Sequence, residues 1–356
     1  MKRPVILLLI CAYTVITQSQ ILNIPDSQTN TTKEIATYIN SRFNNGPERI
    51  RAIYSWVTSN IKYDADSIHR VIIDEDNDQR ITYALKRKKG VCENFAAIFT
   101  GICIESGIPS FAIEGYTRQN GKIDKAPHVW CAAFIESKWF LYDPTWDAGS
   151  ISGGHFVRDI RTNYFQKTPD EMIRSHLPFD PLFQFLDYPV TYKEFVGNNF
   201  PVGKGSYFNY TDSLEVYRSS DPLSRYMANI SRIKRVGWPA SLIEIKLKRV
   251  RFEIELIREE RDMELYNSAI VDYNSAVAVL NHFLNYRNNP DQSVIPQNKV
   301  QESFDLIKEK IKVANRKLKE VNLSTATILL NTGDIQKKLD DLAAKVKEQE
   351  AFSEKL

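Results

Sequence analysis

Cysteine is scarce in this chain, four in 356 residues, and none is spaced with histidine as metal ligands are. That excludes a structural zinc site, and no metal is expected. No glycine-rich phosphate loop occurs, so P-loop nucleotide chemistry is excluded too. Charge of one sign is also lacking: the formal net charge of +3 is too small to argue for nucleic acid or an anionic membrane as partner. Long apolar runs are absent but for one near the start. Met1-Lys2-Arg3-Pro4 is a short basic head, Val5 to Val15 is apolar but too short to span a bilayer, and Thr17-Gln18-Ser19 offers small residues. This reads as a secretory signal over residues 1–19, cleaved before Gln20. Ile10 stands where a lipoprotein signal wants a small residue before Cys11, so lipidation is not expected. The mature chain is expected to be exported, periplasmic or extracellular, with no membrane span.

Signal removal leaves Cys92, Cys103 and Cys131. Export permits a disulfide between Cys103 and Cys131. The preferred reading is two small buried thiols, one on a helix and one on a strand.

What is present centres on Lys89-Gly90-Val91-Cys92-Glu93-Asn94-Phe95. A glycine-closed turn runs into an apolar, helix-period segment that Gly107 and Pro109 stop. Cys92 falls on the first turn of that helix, where free N–H groups and the dipole favour thiolate over thiol. Upstream, residues 33–43 and 47–61 carry helical apolar spacing, with Pro47 suited to a first turn. The acidic run 74–78 has Gln79 and Leu85 where a calcium loop wants glycine and glutamate, so it reads as a solvated loop. Residues 82–88 read as a short basic helix.

Downstream the period becomes that of strands, at 110–118, 126–135 and 138–142. The second is apolar on both faces and is expected to be central. A two-residue turn, Glu136-Ser137 or Ser137-Lys138, joins it to the third. With either turn, opposed positions sum to 273 or 275. His128 and Asp143 then project from one face as neighbours, at a diagonal of roughly 7–8 Å in the tighter register. Trp130 shares that face, and Cys131 points away. A nucleophile at a helix start, a histidine on a strand and a carboxylate diagonal to it are the parts of a Cys–His–Asp triad. His155, near a Gly-Gly turn, is a rival base, but a strand fixes His128 better than a loop would fix His155.

These residues also carry a resemblance. Gly90-Val91-Cys92-Glu93-Asn94-Phe95-Ala96, the His128-x-Trp130 pair and Lys138 through Trp146 resemble the transglutaminase-like core. Asp143-Pro144-Thr145-Trp146-Asp147-Ala148-Gly149 and His176-Leu177-Pro178-Phe179-Asp180-Pro181 are similar to the kyphoscoliosis-peptidase-like group. The resemblance covers residues 33–195. It implies a papain-like α+β core and acyl transfer through a Cys92 thioester. Cys92 would be nucleophile, His128 general base then acid, and Asp143 the orienter, with no cofactor. Cys131 departs from the asparagine often found there. The oxyanion hole would use the Cys92 N–H, with Tyr63 or Trp56 as second donor. An exported cysteine peptidase or amidase is the preferred reading, with a protein or peptide as substrate. A protein-crosslinking transglutaminase and a non-catalytic binding module are the alternatives.

The expected domains are 20–200, catalytic with a C-terminal extension, and 201–356, all-helical. Residues 213–235 read as one helix. A heptad seam runs over 240–287 through Ile245, Phe252, Leu256, Met263, Tyr266, Ile270, Tyr273, Val277, Leu280 and Leu284, and restarts at Val300. It resumes in phase from Ile328 to Val346, although Arg249, Glu259, Thr325 and Thr332 occupy seam positions. This predicts an antiparallel coiled-coil hairpin with arms of roughly 70 Å, a docking arm for a partner. A compact three- or four-helix bundle is the alternative.

Overall fold

The computed structural model describes residues 22–67, 77–201, 203–235, 241–289, 297–322 and 326–353. The leader and most of the acidic run lie outside the described residues. No described helix is long and apolar enough to cross a membrane. The chain divides into two compact units, one of residues 1–221 with 228–244 and one of residues 222–227 with 245–356.

The first unit begins with helices, each started by local chemistry. Helix α1 (Thr32–Asn40) opens on a capping box: the Glu34 N–H donates to Thr31 Oγ1 at 3.1 Å, and the Glu34 carboxylate accepts from the Thr31 N–H at 3.2 Å. Helix α2 (Gly46–Asn60) is capped by Asn45, whose side chain accepts from the Glu48 N–H at 2.9 Å, with Pro47 in its first turn. Its Ile50, Ile53, Tyr54, Trp56 and Val57 are all buried. Helix α3 (Asn77–Arg87) starts earlier than the basic stretch suggests. Helix α4 (Cys92–Glu105) carries the cysteine. It ends where Gly107 takes a φ of +77° and the Ile108 N–H returns to the Cys103 carbonyl at 2.8 Å.

A mixed-length antiparallel sheet comes next. Strand His128–Ile135 lies between Ser110–Gln119 and Lys138–Tyr142. Ile135 opposes Lys138 and Cys131 opposes Tyr142, the tighter of the two expected registers. The turn is Glu136-Ser137, with φ of 49° and 63°. Two positive φ values match the hand of the strand twist, as in a type I′ hairpin. A short strand, His176–Pro178, pairs with the Ser110–Gln119 strand, setting Thr117 opposite His176.

Helices α1, α2 and α4 cover one face of this sheet, where Cys131, Ala133 and Ile135 are buried with Ile53, Phe99 and Cys103. Trp130, Ala132, Leu141 and Ile113 point the other way, into a core completed by Met172, Leu182, Phe185 and Leu214. The central strand is thus apolar on both sides because both sides are covered. Cys92, Cys103 and Cys131 are all free thiols. Cys131 faces α4, with its sulfur 3.9 Å from the Ala96 carbonyl.

Leu214 sits on helix Tyr210–Ser219, beyond the linker expected near residue 200, so the first unit's second core extends that far. The single helix expected over 213–235 is two, Tyr210–Ser219 and Pro222–Arg235. Pro222 opens the second of them at its first turn, and Ser220, two residues earlier, ends the first in extended geometry, with ψ of 152°.

The second unit contains the long helix Ser241–Asn288 from Ile245 onward, a middle helix Gln297–Glu320 and a last helix Ala326–Ser353. The near half of the expected hairpin is present. Leu280, Val300, Phe304 and Ile307 share one core, and the Phe283 and Phe304 rings lie 4.8 Å apart. The far half differs. The last helix doubles back instead of continuing along the arm, because Gln336 bonds Asn315 at 2.7 Å while Gln301 bonds Glu350 at 3.2 Å. Ile335, Leu339, Leu342 and Val346 therefore join the core around Ala276 and Leu280, not Ile245. Folding back gives each of these side chains two helices to pack against, where an extended arm would give one. A three-helix bundle replaces the long hairpin.

Candidate active site

Gly90 and Asn94 set up the start of α4. Asn94 Oδ1 accepts the Val91 N–H at 2.9 Å, and a Cβ on Gly90 would fall 2.6 Å from the Asn94 side chain. Only glycine lets the chain approach that closely. The result is Cys92 half-buried on the first turn.

His128 is the first residue of the central strand and is buried. Its Nε2 lies 2.8 Å from Asp143 Oδ2. The other ring nitrogen is left for the Cys92 side chain, which lies close enough to help raise the imidazole pKa. Burial alone would push the His128 pKa down. The Asp143 carboxylate outweighs it, with a smaller contribution from Cys92, and raises it to about 10. Trp146 stacks on the imidazole at 5.4 Å between centroids, and Trp130 lies parallel on the same face at 6.3 Å.

Asp143 has no solvent exposure. Its Oδ1 caps the helix Pro144–Ala148, accepting from the Thr145 N–H at 2.9 Å and the Trp146 N–H at 3.2 Å. Its Oδ2 meets His128 and, at 3.2 Å, Nε2 of a second imidazole, His176. Burial would raise this carboxyl; the two imidazoles, His128 foremost, hold it well below the usual carboxylate range. Sequence reasoning gives His176 no role, and its only signal is the His-Leu-Pro-Phe-Asp-Pro run that carries it. His176 Nδ1 lies 2.8 Å from Ser175 Oγ, and burial lowers the ring's pKa. Room for this second histidine comes from Gly115, which opposes both His128 and Pro178. A Cβ there would collide with the Leu177 carbonyl and come within 2.6 Å of the Trp130 ring.

A second buried carboxylate, Asp147, braces the region from behind. The Tyr54 hydroxyl is 2.6 Å from Asp147 Oδ2, and Asp147 also accepts from the Asn163 and Tyr164 N–H groups at 3.1 and 2.8 Å.

Of the remaining expected residues, Tyr63 is half-buried, and its hydroxyl pKa is raised by burial and by the charge of Cys92 nearby. Trp56 is buried in the helical core with the Lys88 ammonium 4.9 Å over its ring. His155 is exposed on a separate two-stranded hairpin, Gly149–Ser152 with His155–Arg158. Donor atoms of His128, Asp143 and His176 lie within 4.8 Å of one another, a zinc-type set by residue kind. Both Asp143 oxygens already accept two hydrogen bonds each, so a proton network accounts for the cluster without an ion.

Residues 30–144 match the transglutaminase-like superfamily. They form a transglutaminase-like domain. Kyphoscoliosis peptidase from Mus musculus is 27% identical over 173 residues, covering 46% of this chain and 25% of that protein. Hillarin from Drosophila melanogaster is 22% identical over 184 residues, covering 46% and 21%. The chain spans about a quarter of the length of the curated relatives it matches. Among solved structures, the periplasmic domain of TgpA from Pseudomonas aeruginosa is 15% identical, covering 36% of this chain and 46% of that one, with a TM-score of 0.27. The match to the transglutaminase-like domain stops one residue after Asp143, so Asp147 and His176 lie beyond the matched residues.

Proposed function

We propose that the transglutaminase-like domain is a cysteine-dependent hydrolase, a peptidase or amidase that works through a Cys92 thioester. The observation that carries this reading is the imidazole of His128 held at 2.8 Å by a fully saturated Asp143, with Cys92 on the helix start close enough to shift that ring's pKa. With Nε2 committed to Asp143, the His128 ring is held in the orientation that presents Nδ1 to sulfur. An imidazolium at that place stabilises the thiolate. The sulfur attacks the substrate carbonyl, and the oxyanion forms beside the Cys92 N–H, with Tyr63 in reach as second donor. His128 then gives its proton to the departing amine, leaving the thioester. In the second half His128 takes a proton from water, the hydroxide adds to the thioester, and the sulfur leaves as the acid is released.

His176 acts as a positioning residue. A neutral ring with Nδ1 accepting from Ser175 must carry its proton on Nε2, and that proton goes to Asp143. The carboxylate is thereby fixed from a second direction without being neutralised. The name of one curated relative, kyphoscoliosis peptidase, favours water over an amine as acceptor, and export after removal of residues 1–19 would place the reaction in the periplasm or outside the cell.

Mass spectrometry of the intact protein after incubation with peptide substrates tests this. An acyl adduct on Cys92, absent in Cys92→Ala and cleared by water alone, is expected. Clearance only when an amine is added would turn the assignment to crosslinking. No adduct, together with thiol labelling no faster at Cys92 than at Cys103 or Cys131, would leave a binding module.

A further inference from the structure

The far half of the long helix carries an apolar seam that lies open to solvent among the described residues. Ile245, Phe252, Leu256 and Met263 are 63%, 51%, 44% and 43% exposed. Their 7-4-7 spacing continues, in phase, the Tyr266-to-Leu284 seam that packs in the bundle core. The segment whose pattern would match it, the last helix, lies against the near half instead.

We propose that this stretch is a self-docking surface, pairing antiparallel with the same stretch of a second copy of the chain. The order of residues argues for that occupant. The seam reads Ile245, Arg249, Phe252, Leu256, Glu259, Met263. Turned about a two-fold axis at Ile254, it is its own complement: Ile245 meets Met263, Phe252 meets Leu256, and Arg249 meets Glu259, twice over. Antiparallel coiled coils place a positions against d positions, and each of these pairs is of that kind. The two polar residues that interrupt the apolar seam are of opposite sign and fall opposite one another. In a parallel, in-register pair each would face its own copy instead.

Charge outside the seam runs the same way. Residues 246–251 hold four cations and no acid, and residues 258–264 hold four acids and two arginines. Antiparallel docking sets the basic end on the acidic end. Glu253 and Glu255 lie near the axis and come close to their own copies, which weakens the pair without changing its direction. From Ile245 to Met263, eighteen rises of 1.5 Å give roughly 27 Å of seam, a short interface suited to reversible association. An isologous contact of this kind closes on itself, so it yields a dimer and not a filament.

Sedimentation velocity of the full chain over a range of concentrations tests the proposal. A concentration-dependent monomer–dimer equilibrium is expected. Arg249→Glu alone sets glutamate against Glu259 at both symmetry-related places. Glu259→Arg alone sets arginine against Arg249. Each should weaken dimerisation by about tenfold or more, since like charges are forced together. The double variant Arg249→Glu/Glu259→Arg should restore it. Both positions are exposed, so far-ultraviolet circular dichroism should be unchanged. A chain that stays monomeric overturns the proposal. So does a dimer indifferent to the single reversals, as a parallel pair or an exchange of last helices between copies would be.

Discussion

Two buried carboxylates, one in each compact unit, are held in opposite ways. Asp143 is fully buried and saturated by two backbone N–H groups and two imidazoles, drawn from its own helix start and from two strands. Asp272 is 6% exposed as a residue and is met by two lysines of the middle helix, Lys310 at 3.0 Å and Lys317 at 2.5 Å. The lysine side chains remain 35% and 24% exposed. Asp143 is locked by donors that cannot move without moving the fold. Asp272 is met by flexible stems that keep one side in water. The first arrangement fixes a geometry, and the second trims the cost of burying one acid in a helix seam.

The largest effect expected from breaking this contrast is at Asp143. Asp143→Asn keeps the shape but puts an NH₂ or a weaker acceptor against two imidazoles, and the wrong His128 tautomer is then favoured. The rate of Cys92 acylation should fall by roughly 10³–10⁴-fold, measured as kcat/KM on a chromogenic amide or ester. A loss below tenfold would mean that His128 is oriented by something other than this carboxylate.

The two imidazoles should then separate by pH. His128 has a folded pKa of about 10 against an ordinary 6.5, so its contribution to stability is full below 6.5 and is lost as pH rises towards 10. The slope is at most about 1.4 kcal/mol per pH unit for one proton. His176 is shifted the other way: below 6.5 the unfolded chain takes a proton that the folded ring resists, so stability falls with acid. Urea unfolding midpoints across pH should show His128→Gln flattening the alkaline limb and His176→Gln the acid limb below about 6.5. A steeper acid limb in His176→Gln would mean that the folded ring is charged and does not donate as a neutral group.

The same two regions differ in how far their sequence can be read. Parity alone brings His128 and Asp143 together, because a two-residue turn at Glu136-Ser137 leaves few registers and each register fixes which side chains share a face. Cys131 pointing away is a consequence of the same parity. His176 is not reachable in this way. It comes 33 residues after Asp143 through short, aperiodic segments, and its place depends on pairing with the strand beyond Gly115. In the second unit the heptad seam is legible along nearly its whole length, yet a seam does not name its partner. The near pairing of Leu280 with Phe304 and the fold-back of Leu339 satisfy the same pattern. The end of the middle helix at Glu320 chooses between them. Cysteine pairs in an otherwise cysteine-free background make the distinction measurable. Leu284 with Val300 should crosslink within one chain, whereas Ile245 with Leu339 should not. Formation of the second pair would restore the extended arm.

The smallest expected effect belongs to Asp272, and it completes the contrast. Asp272→Asn removes a charge that two lysines share, but it leaves an amide whose oxygen still accepts from either of them. Lys310 and Lys317 can turn outward to solvent on stems that are already partly exposed. Ser268 stays beside Lys317 at 2.6 Å, so that ammonium keeps a partner. Pairs whose lysines keep one side in water, as these do, are worth about 1 kcal/mol or less, and the substitution should lower the unfolding free energy by no more than that. It should also weaken the salt dependence of stability, since the ion pairs it removes are the kind that salt screens. The measurement is urea unfolding at low and high sodium chloride. A loss of about 3 kcal/mol or more would be the cost of breaking a fully desolvated pair. In that case Asp272 would be a fixed centre of its unit in the way that Asp143 is of the other.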